Sequence, residues 1–154
     1  MVFKSRSMVT KGPSIVRLEF TSAVDMLDLV QVVGDHIARA AGLDDEAVHW
    51  VGVAVRESVT NAITHGNRSD VRKQVFVEFE TALEGNERSL TIRVRDQGDG
   101  FDPDAIADPL APENLLKSSG RGIFFVKAFM DDVRLSRTPD GGMEICMTKR
   151  VVPA

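Results

Sequence analysis

Two hydrophobic periods alternate along this chain in an order that leaves few folds open to it. From Ser14 to Phe20, SIVRLEF places Val16, Leu18 and Phe20 on one face and Arg17 and Glu19 on the other, the period of two expected of a half-buried strand. The period then lengthens. Met26, Val30, Val33, Ile37 and Ala40 recur at helical spacing as far as Gly42, which predicts an amphipathic helix over Ala23 to Ala41. Asp44 or Asp45 can cap a second helix that runs to about Thr64. Beyond the turn residues His65-Gly66-Asn67 the period returns to two. Val75, Val77 and Phe79 alternate within Gln74 to Thr81, and Leu90, Ile92 and Val94 within Arg88 to Asp96, with Gly85-Asn86 as a hairpin turn between them. A short apolar helix, Ile123 to Met130, precedes strands around Val133 to Ser136 and Met143 to Thr148, joined by the turn Pro139-Asp140-Gly141-Gly142. Strands that cluster after the long helices, with few βαβ alternations, predict an α+β fold. The layer rules make it a two-layer sandwich, a mixed but mostly antiparallel sheet with helices on one face.

The 154 residues and 43% apolar content suit one domain, which we place at residues 13–154. Met1 to Gly12 mixes basic, hydroxyl and glycine positions without a period and reads as a mobile tail. A net charge of -4, with 27% charged residues, gives no basic excess, which argues against direct electrostatic binding of nucleic acid. No stretch approaches the roughly 18 consecutive apolar residues of a membrane span, and the start lacks an apolar signal core, so the expected location is the cytoplasm. Cys146 is the only cysteine, which excludes an internal disulfide and an all-cysteine metal site; it reads as a small buried strand residue.

Three short constellations carry chemistry. In the second helix, at about 100° per residue, Trp50, Ala54, Glu57 and Asn61 fall on nearly one line, while His49, Arg56 and Thr60 take the opposite side. A carboxylate and an amide thus continue an apolar stripe, where a polar group costs free energy unless it is paired. The carboxylate can accept a hydroxyl proton and the amide oxygen can ligate a hard divalent cation, as phosphoryl transfer requires. By itself, such a pair is also what an ordinary helix carries ahead of a turn. The second constellation is Asp96-Gln97-Gly98-Asp99-Gly100, in which Asp96 keeps the inward parity of Leu90, Ile92 and Val94 and then meets glycines. An inward carboxylate needs a donor. A purine exocyclic amine would serve, with the glycines letting backbone approach a flat ring, although an Asp- and Gly-rich stretch is also a plain strand end. The third is Gly120-Arg121-Gly122 ahead of the short helix, whose free amides would face phosphate oxygens. No Walker A pattern occurs.

In that order, ESVTNAITHG, DQGDGFD and SSGRGIFFVKAFMDD resemble the N, G1 and G2 boxes of the GHKL ATPases of the Bergerat fold. The short length and the phrases Glu57 to Gly66 and Phe129 to Val133 resemble, within that superfamily, the anti-sigma-factor serine protein kinases; the likeness covers about Ser14 to Lys149. The resemblance implies an ATP- and magnesium-dependent kinase that binds a sigma factor, phosphorylates an anti-anti-sigma protein of the STAS type, and acts as a homodimer. It makes Glu57 the general base for the attacking serine hydroxyl, Asn61 the magnesium ligand, and Asp96 the acceptor of the adenine amine. It places Gly98 and Gly100 beneath the nucleotide and makes Gln97 to Ser119 a lid over the ATP, expected to be mobile without nucleotide. Lys117, Ser119, Gly120, Arg121, Gly122 and Ile123 fall at the phosphates, where the lid closes.

Two positions depart from the pattern. Ser118 stands where relatives often carry an arginine that reaches the terminal phosphate, leaving Lys117 or Arg121 to supply a cation. Met143 follows Gly142 where relatives commonly have a threonine near the adenine, which removes a hydroxyl contact. These departures keep a second class open, a nucleotide-binding partner-switching module without catalysis. A sensor-kinase or topoisomerase-like ATPase half fits less well, since the chain has no room for a dimerisation helix pair or transducer domain. His36 and His49 read as solvated, His65 as a helix-end residue near the pocket mouth, and Phe124, Phe125 and Phe129 as core.

Overall fold

A computed structural model describes residues 14–100 and 126–152. The chain begins with strand β1 (Ser14–Thr21), passes through a 3-10 turn (Val24–Met26) into helix α1 (Leu27–Ala41), and continues into helix α2 (Asp45–Asn61). Strands β2 (Gln74–Glu84), β3 (Glu87–Arg95), β4 (Asp132–Arg137) and β5 (Met143–Val151) follow. The sheet order is β1-β2-β3-β5-β4, and each neighbouring pair is antiparallel. Helices precede most of the strands in sequence and cover one face of the sheet, which is the α+β two-layer arrangement expected from the order of periods.

The period-two residues supply the sheet side of the core. Val75, Val77 and Phe79 of β2 and Leu90, Ile92 and Val94 of β3 are buried, and so are Val30 and Ala38 of α1 and Val48, Val51, Val55 and Val59 of α2 above them. Full burial of each large aliphatic side chain contributes about 1.5–3 kcal/mol, so this one interface dominates the stability of the domain. Gly34 lets α1 settle on the Phe79 ring, because a Cβ there would come within 3.2 Å of it. Ser58 satisfies its buried hydroxyl by donating to the Ala54 carbonyl at 2.8 Å and lies 3.3 Å from the Met147 sulfur, which anchors α2 over β5. On the opposite, solvated face, Arg17 pairs with Glu78 at 2.8 Å, and Arg93 with Glu78 at 3.0 Å and Glu80 at 2.8 Å.

Of the two caps expected for α2, Asp44 is the one used, its Oδ1 accepting from the Ala47 amide at 2.8 Å. Several boundaries differ from the sequence expectation for identifiable reasons. The regular part of α2 stops at Asn61 rather than Thr64, because Ala62–Gly66 widens into a π turn closed by the Asn67 amide on the Ala62 carbonyl at 2.8 Å. β2 and β3 extend up to a tight hairpin in which Gly85 has φ 62°. β1 is less buried than a half-buried strand, with Val16 40% exposed, because it forms the edge of the sheet.

Cys146 is half-buried on β5, opposite Arg93 on one side and Arg134 on the other. Burial pushes its thiol above the ordinary value, against the nearby Arg93 charge, which lowers it. A raised thiol holds less thiolate at neutral pH. Iodoacetamide should therefore alkylate Cys146 more slowly in the folded protein than in the urea-unfolded chain; equal rates would show that the strand does not shield it. No helix among the described residues is long and apolar enough to cross a membrane.

Candidate functional site

Helix α2 sets up one wall. Its Trp50 ring stacks on Phe129, from the helical residues 126–129, with centroids 3.8 Å apart and planes 8° from parallel. Ala54, one turn on, is fully buried, and Glu57 and Asn61 continue the same stripe as half-buried residues. His49 and Arg56 are exposed as expected, and His49 also meets the Trp50 ring edge-on at 4.8 Å. Neither the Glu57 carboxylate nor the Asn61 amide has a side-chain hydrogen bond or ion pair among the described residues. Two polar groups one helical turn apart are thus held half out of water with their bonding capacity unspent.

The π turn carries this wall to the second element. It brings Gly66 so close to Asp96 that a Cβ at position 66 would overlap the Asp96 Oδ2 oxygen. Asp96 lies one residue beyond β3 and is 7% exposed, so the inward parity of Leu90, Ile92 and Val94 does run on to it. Its Oδ1 is occupied, accepting from the Gly98 amide at 2.9 Å and the Met143 amide at 3.2 Å. Its Oδ2 has no hydrogen-bond partner among the described residues, which leaves one oxygen of a largely buried carboxylate to receive a donor from a ligand.

Glycines make the approach possible. A Cβ on Gly98 would overlap the Gly66 carbonyl, one on Gly142 the Asp96 carbonyl, and one on Gly100 the Gly141 carbonyl. Three loops therefore meet backbone against backbone around a single carboxylate, an arrangement that any side chain would wedge apart. The same loops are tied by Asn67, which is fully buried. Its amide nitrogen donates to Ser22 Oγ at 2.7 Å and the Gln74 carbonyl at 2.9 Å, while its Oδ1 accepts from the Gln97 amide at 2.8 Å. Gln97 returns the tie, its Oε1 accepting from the Gln74 amide at 2.7 Å.

The structure thus brings Asp96, Gly98 and Gly100 to one place and runs the Glu57–Asn61 helix into it through Gly66. His65 is exposed within the π turn. Lys117, Ser118, Ser119, Gly120, Arg121, Gly122 and Ile123, with the part of the expected lid beyond Gly100, lie outside the described residues. Reading the sequence treated Gly66 and Asn67 as a mere helix end and missed their contacts with the Asp96 loop. The available signal was a glycine followed by an amide at the end of the helix that carries Glu57 and Asn61.

Comparison with known proteins agrees with this geometry. The family model described as the histidine kinase-like ATPase domain matches residues 20–149. The chain is 27% identical over 142 residues to the serine-protein kinase RsbW of Listeria innocua, covering 88% of this chain and 87% of that one. It is 28% identical over 148 residues to the RsbW of Bacillus licheniformis, covering 90% and 87%. It is 35% identical over 105 residues to the anti-sigma F factor of Oceanobacillus iheyensis, covering 66% and 68%. Among solved structures, that of the RsbU and RsbW domains of a Mycobacterium tuberculosis protein superposes with a TM-score of 0.62 at 19% identity, covering 92% of this chain and 34% of that one, which supports the fold alone. An ATP-binding family whose model spans residues 20–149, on a fold that gathers the N-box helix and the G1 glycines around one buried aspartate, places this chain in the histidine kinase-like ATPase domain family, beside the RsbW-type serine kinases.

Proposed function

We propose that this protein is an ATP- and magnesium-dependent serine protein kinase that works in the cytoplasm as an anti-sigma factor. In this reading it binds a sigma factor, phosphorylates a serine of a STAS-type anti-anti-sigma protein, and acts as a homodimer. The observation that carries the reading is the pair of unpartnered half-buried groups, Glu57 and Asn61, on the helix whose end packs on Asp96.

The residues divide the work by position. Asp96 Oδ2 accepts from the exocyclic amine of adenine, and Gly66, Gly98 and Gly142 keep side chains out of the plane the ring would take. Asn61 would hold a magnesium ion, which supplies charge neutralisation at the phosphates. Glu57, one turn earlier, takes the proton of the attacking serine hydroxyl; it is half-buried, and no cation among the described residues pairs with it. The glycines, lysine and arginine of 117–123 fall to the phosphates by resemblance. Radiolabelled ATP offered together with candidate anti-anti-sigma proteins tests the reading: labelled serine is expected. A chain that binds ATP yet labels none of its partners would instead be a non-catalytic switching module, the reading that Ser118 in place of an arginine favours.

Base preference follows from the same oxygen. Adenine offers Asp96 a donor at its six position, whereas guanine offers an oxygen that a carboxylate repels. Calorimetry should therefore show tighter binding of ATP than of GTP, and Asp96→Asn should weaken ATP while narrowing the difference. Equal affinities in the wild type would sink the assignment of Asp96.

A further inference from the structure

We infer that Asn67 is a positioning residue for nucleotide binding: acting through Gln97, it fixes the Asp96 carboxylate so that Oδ2 stands where the base arrives, and thereby sets the preference for adenine over guanine. The inference rests on the Asp96–adenine contact of the proposed function and adds which residue, itself clear of the nucleotide, holds that contact in place.

Asn67 is 0% exposed and lies one residue past the π turn, where the backbone is held in an unfavourable shape. The two residues after it, Arg68 and Ser69, have φ 52° and 57°, a left-handed conformation that residues other than glycine rarely adopt. Backbone bonds keep the segment there, the Ser69 amide donating to the Ile63 carbonyl at 2.7 Å and the Asp70 amide to the Asn67 carbonyl at 3.0 Å. The Asn67 side chain then closes a ring. Its Nδ2 donates to the Gln74 carbonyl at 2.9 Å, the Gln74 amide donates to Gln97 Oε1 at 2.7 Å, and the Gln97 amide donates back to Asn67 Oδ1 at 2.8 Å. Nδ2 also donates to Ser22 Oγ at 2.7 Å, whose own hydroxyl donates to the Lys73 carbonyl at 2.8 Å. The residue after β1, the start of β2 and the residue after Asp96 are thus joined through one side chain. A primary amide suits the place because it carries an acceptor and two donors on one plane.

The ring bears directly on Asp96. Three consecutive amides of its loop are used inside the protein: that of Asp96 on the Met143 carbonyl at 3.0 Å, that of Gln97 on Asn67, and that of Gly98 on Asp96 Oδ1 at 2.9 Å. None of these amides is left for a phosphate, so the loop serves as a fixed mount for its carboxylate rather than as an anion cradle. Asn67 supplies the middle anchor of the three. Without it the Gln97 amide loses its acceptor, and the carboxylate gains freedom to turn. A turning carboxylate meets the adenine amine in line less often, and it can also turn away from the guanine oxygen it would otherwise oppose. Loss of Asn67 therefore weakens ATP more than GTP, whereas a general loss of stability weakens both alike.

Calorimetry with ATP and with GTP on the full chain tests this, using Asn67→Ala, Gln97→Ala, the double variant and Val30→Ala. Val30 is a buried residue of α1 outside the ring, so its truncation controls for lost stability. Asn67→Ala should weaken ATP about tenfold and GTP less, while Val30→Ala should keep the wild-type ratio of the two. Gln97 is exposed, so Gln97→Ala cuts the link to Gln74 without threatening the fold, and it should weaken ATP about threefold. The double variant should bind ATP little worse than Asn67→Ala alone, because both changes break one ring. A wild type that binds no ATP, or that prefers neither base, overturns the Asp96 contact itself and the positioning with it. A wild type that prefers ATP, with both single variants keeping the full preference, overturns the positioning alone. Equal losses of ATP and GTP in Asn67→Ala make its role purely structural and also overturn it, and additive losses in the double variant overturn the ring. Should Asn67→Ala fail to fold, the ATP-to-GTP ratio of Gln97→Ala decides, an unchanged ratio overturning the inference.

Discussion

Replacing Glu57 with alanine is expected to lower phosphoryl transfer to the partner serine ~10²- to 10⁴-fold, the usual cost of a lost general base, while leaving nucleotide and sigma-factor binding in place. Glu57 is half-buried with no side-chain partner among the described residues, so its removal strands no other polar group and should cost the fold little. Asn61→Ala is the informative companion. It lies one turn further on, toward the π turn and Asp96, and should weaken magnesium-dependent nucleotide binding as well as transfer. Single-turnover transfer and calorimetry, measured on both variants, separate the two roles. Undiminished transfer by Glu57→Ala would remove this residue from the chemistry, and identical behaviour of the two variants would show that the stripe acts only in binding.

Gly98→Ala is expected to abolish measurable nucleotide binding and to lower the melting temperature by several degrees. Its new Cβ would overlap the Gly66 carbonyl, a backbone atom that cannot swing aside as a side chain can. The loop must therefore move, breaking the 2.9 Å bond from the Gly98 amide that fixes Asp96 Oδ1. Overpacking of this kind costs about 1–3 kcal/mol, and each kcal/mol lowers the melting temperature of a domain this size by about 2–4 °C. Gly85→Ala is the control. Gly85 has φ 62° and nothing within 4 Å of its would-be Cβ, so that substitution should lower stability by about 1 kcal/mol through backbone strain alone and leave ATP affinity unchanged. If Gly98→Ala binds ATP as well as Gly85→Ala does, the close approach of these loops has no part in the site.

What could be read from the sequence was whatever periodicity encodes, because a period reports which side of an element faces the core. It placed the sheet residues, the two helices, the Glu57–Asn61 stripe and, through parity with Leu90, Ile92 and Val94, the inward aspartate at the end of β3. The family boxes then gave those residues their expected roles. What periodicity does not encode is which loops meet. The π turn after Asn61, the fully buried Asn67 with its ties to Ser22, Gln74 and Gln97, and the overlap-limited contacts among Gly66, Gly98, Gly142 and Asp96 are backbone meetings between segments far apart in the chain. Glycine leaves no hydrophobic signature, so such meetings are invisible until the sheet order brings them together. The same holds for β1: SIVRLEF alternates like any half-buried strand, and only the order β1-β2-β3-β5-β4 puts it at the edge, where Val16 stays in water for want of a neighbouring strand.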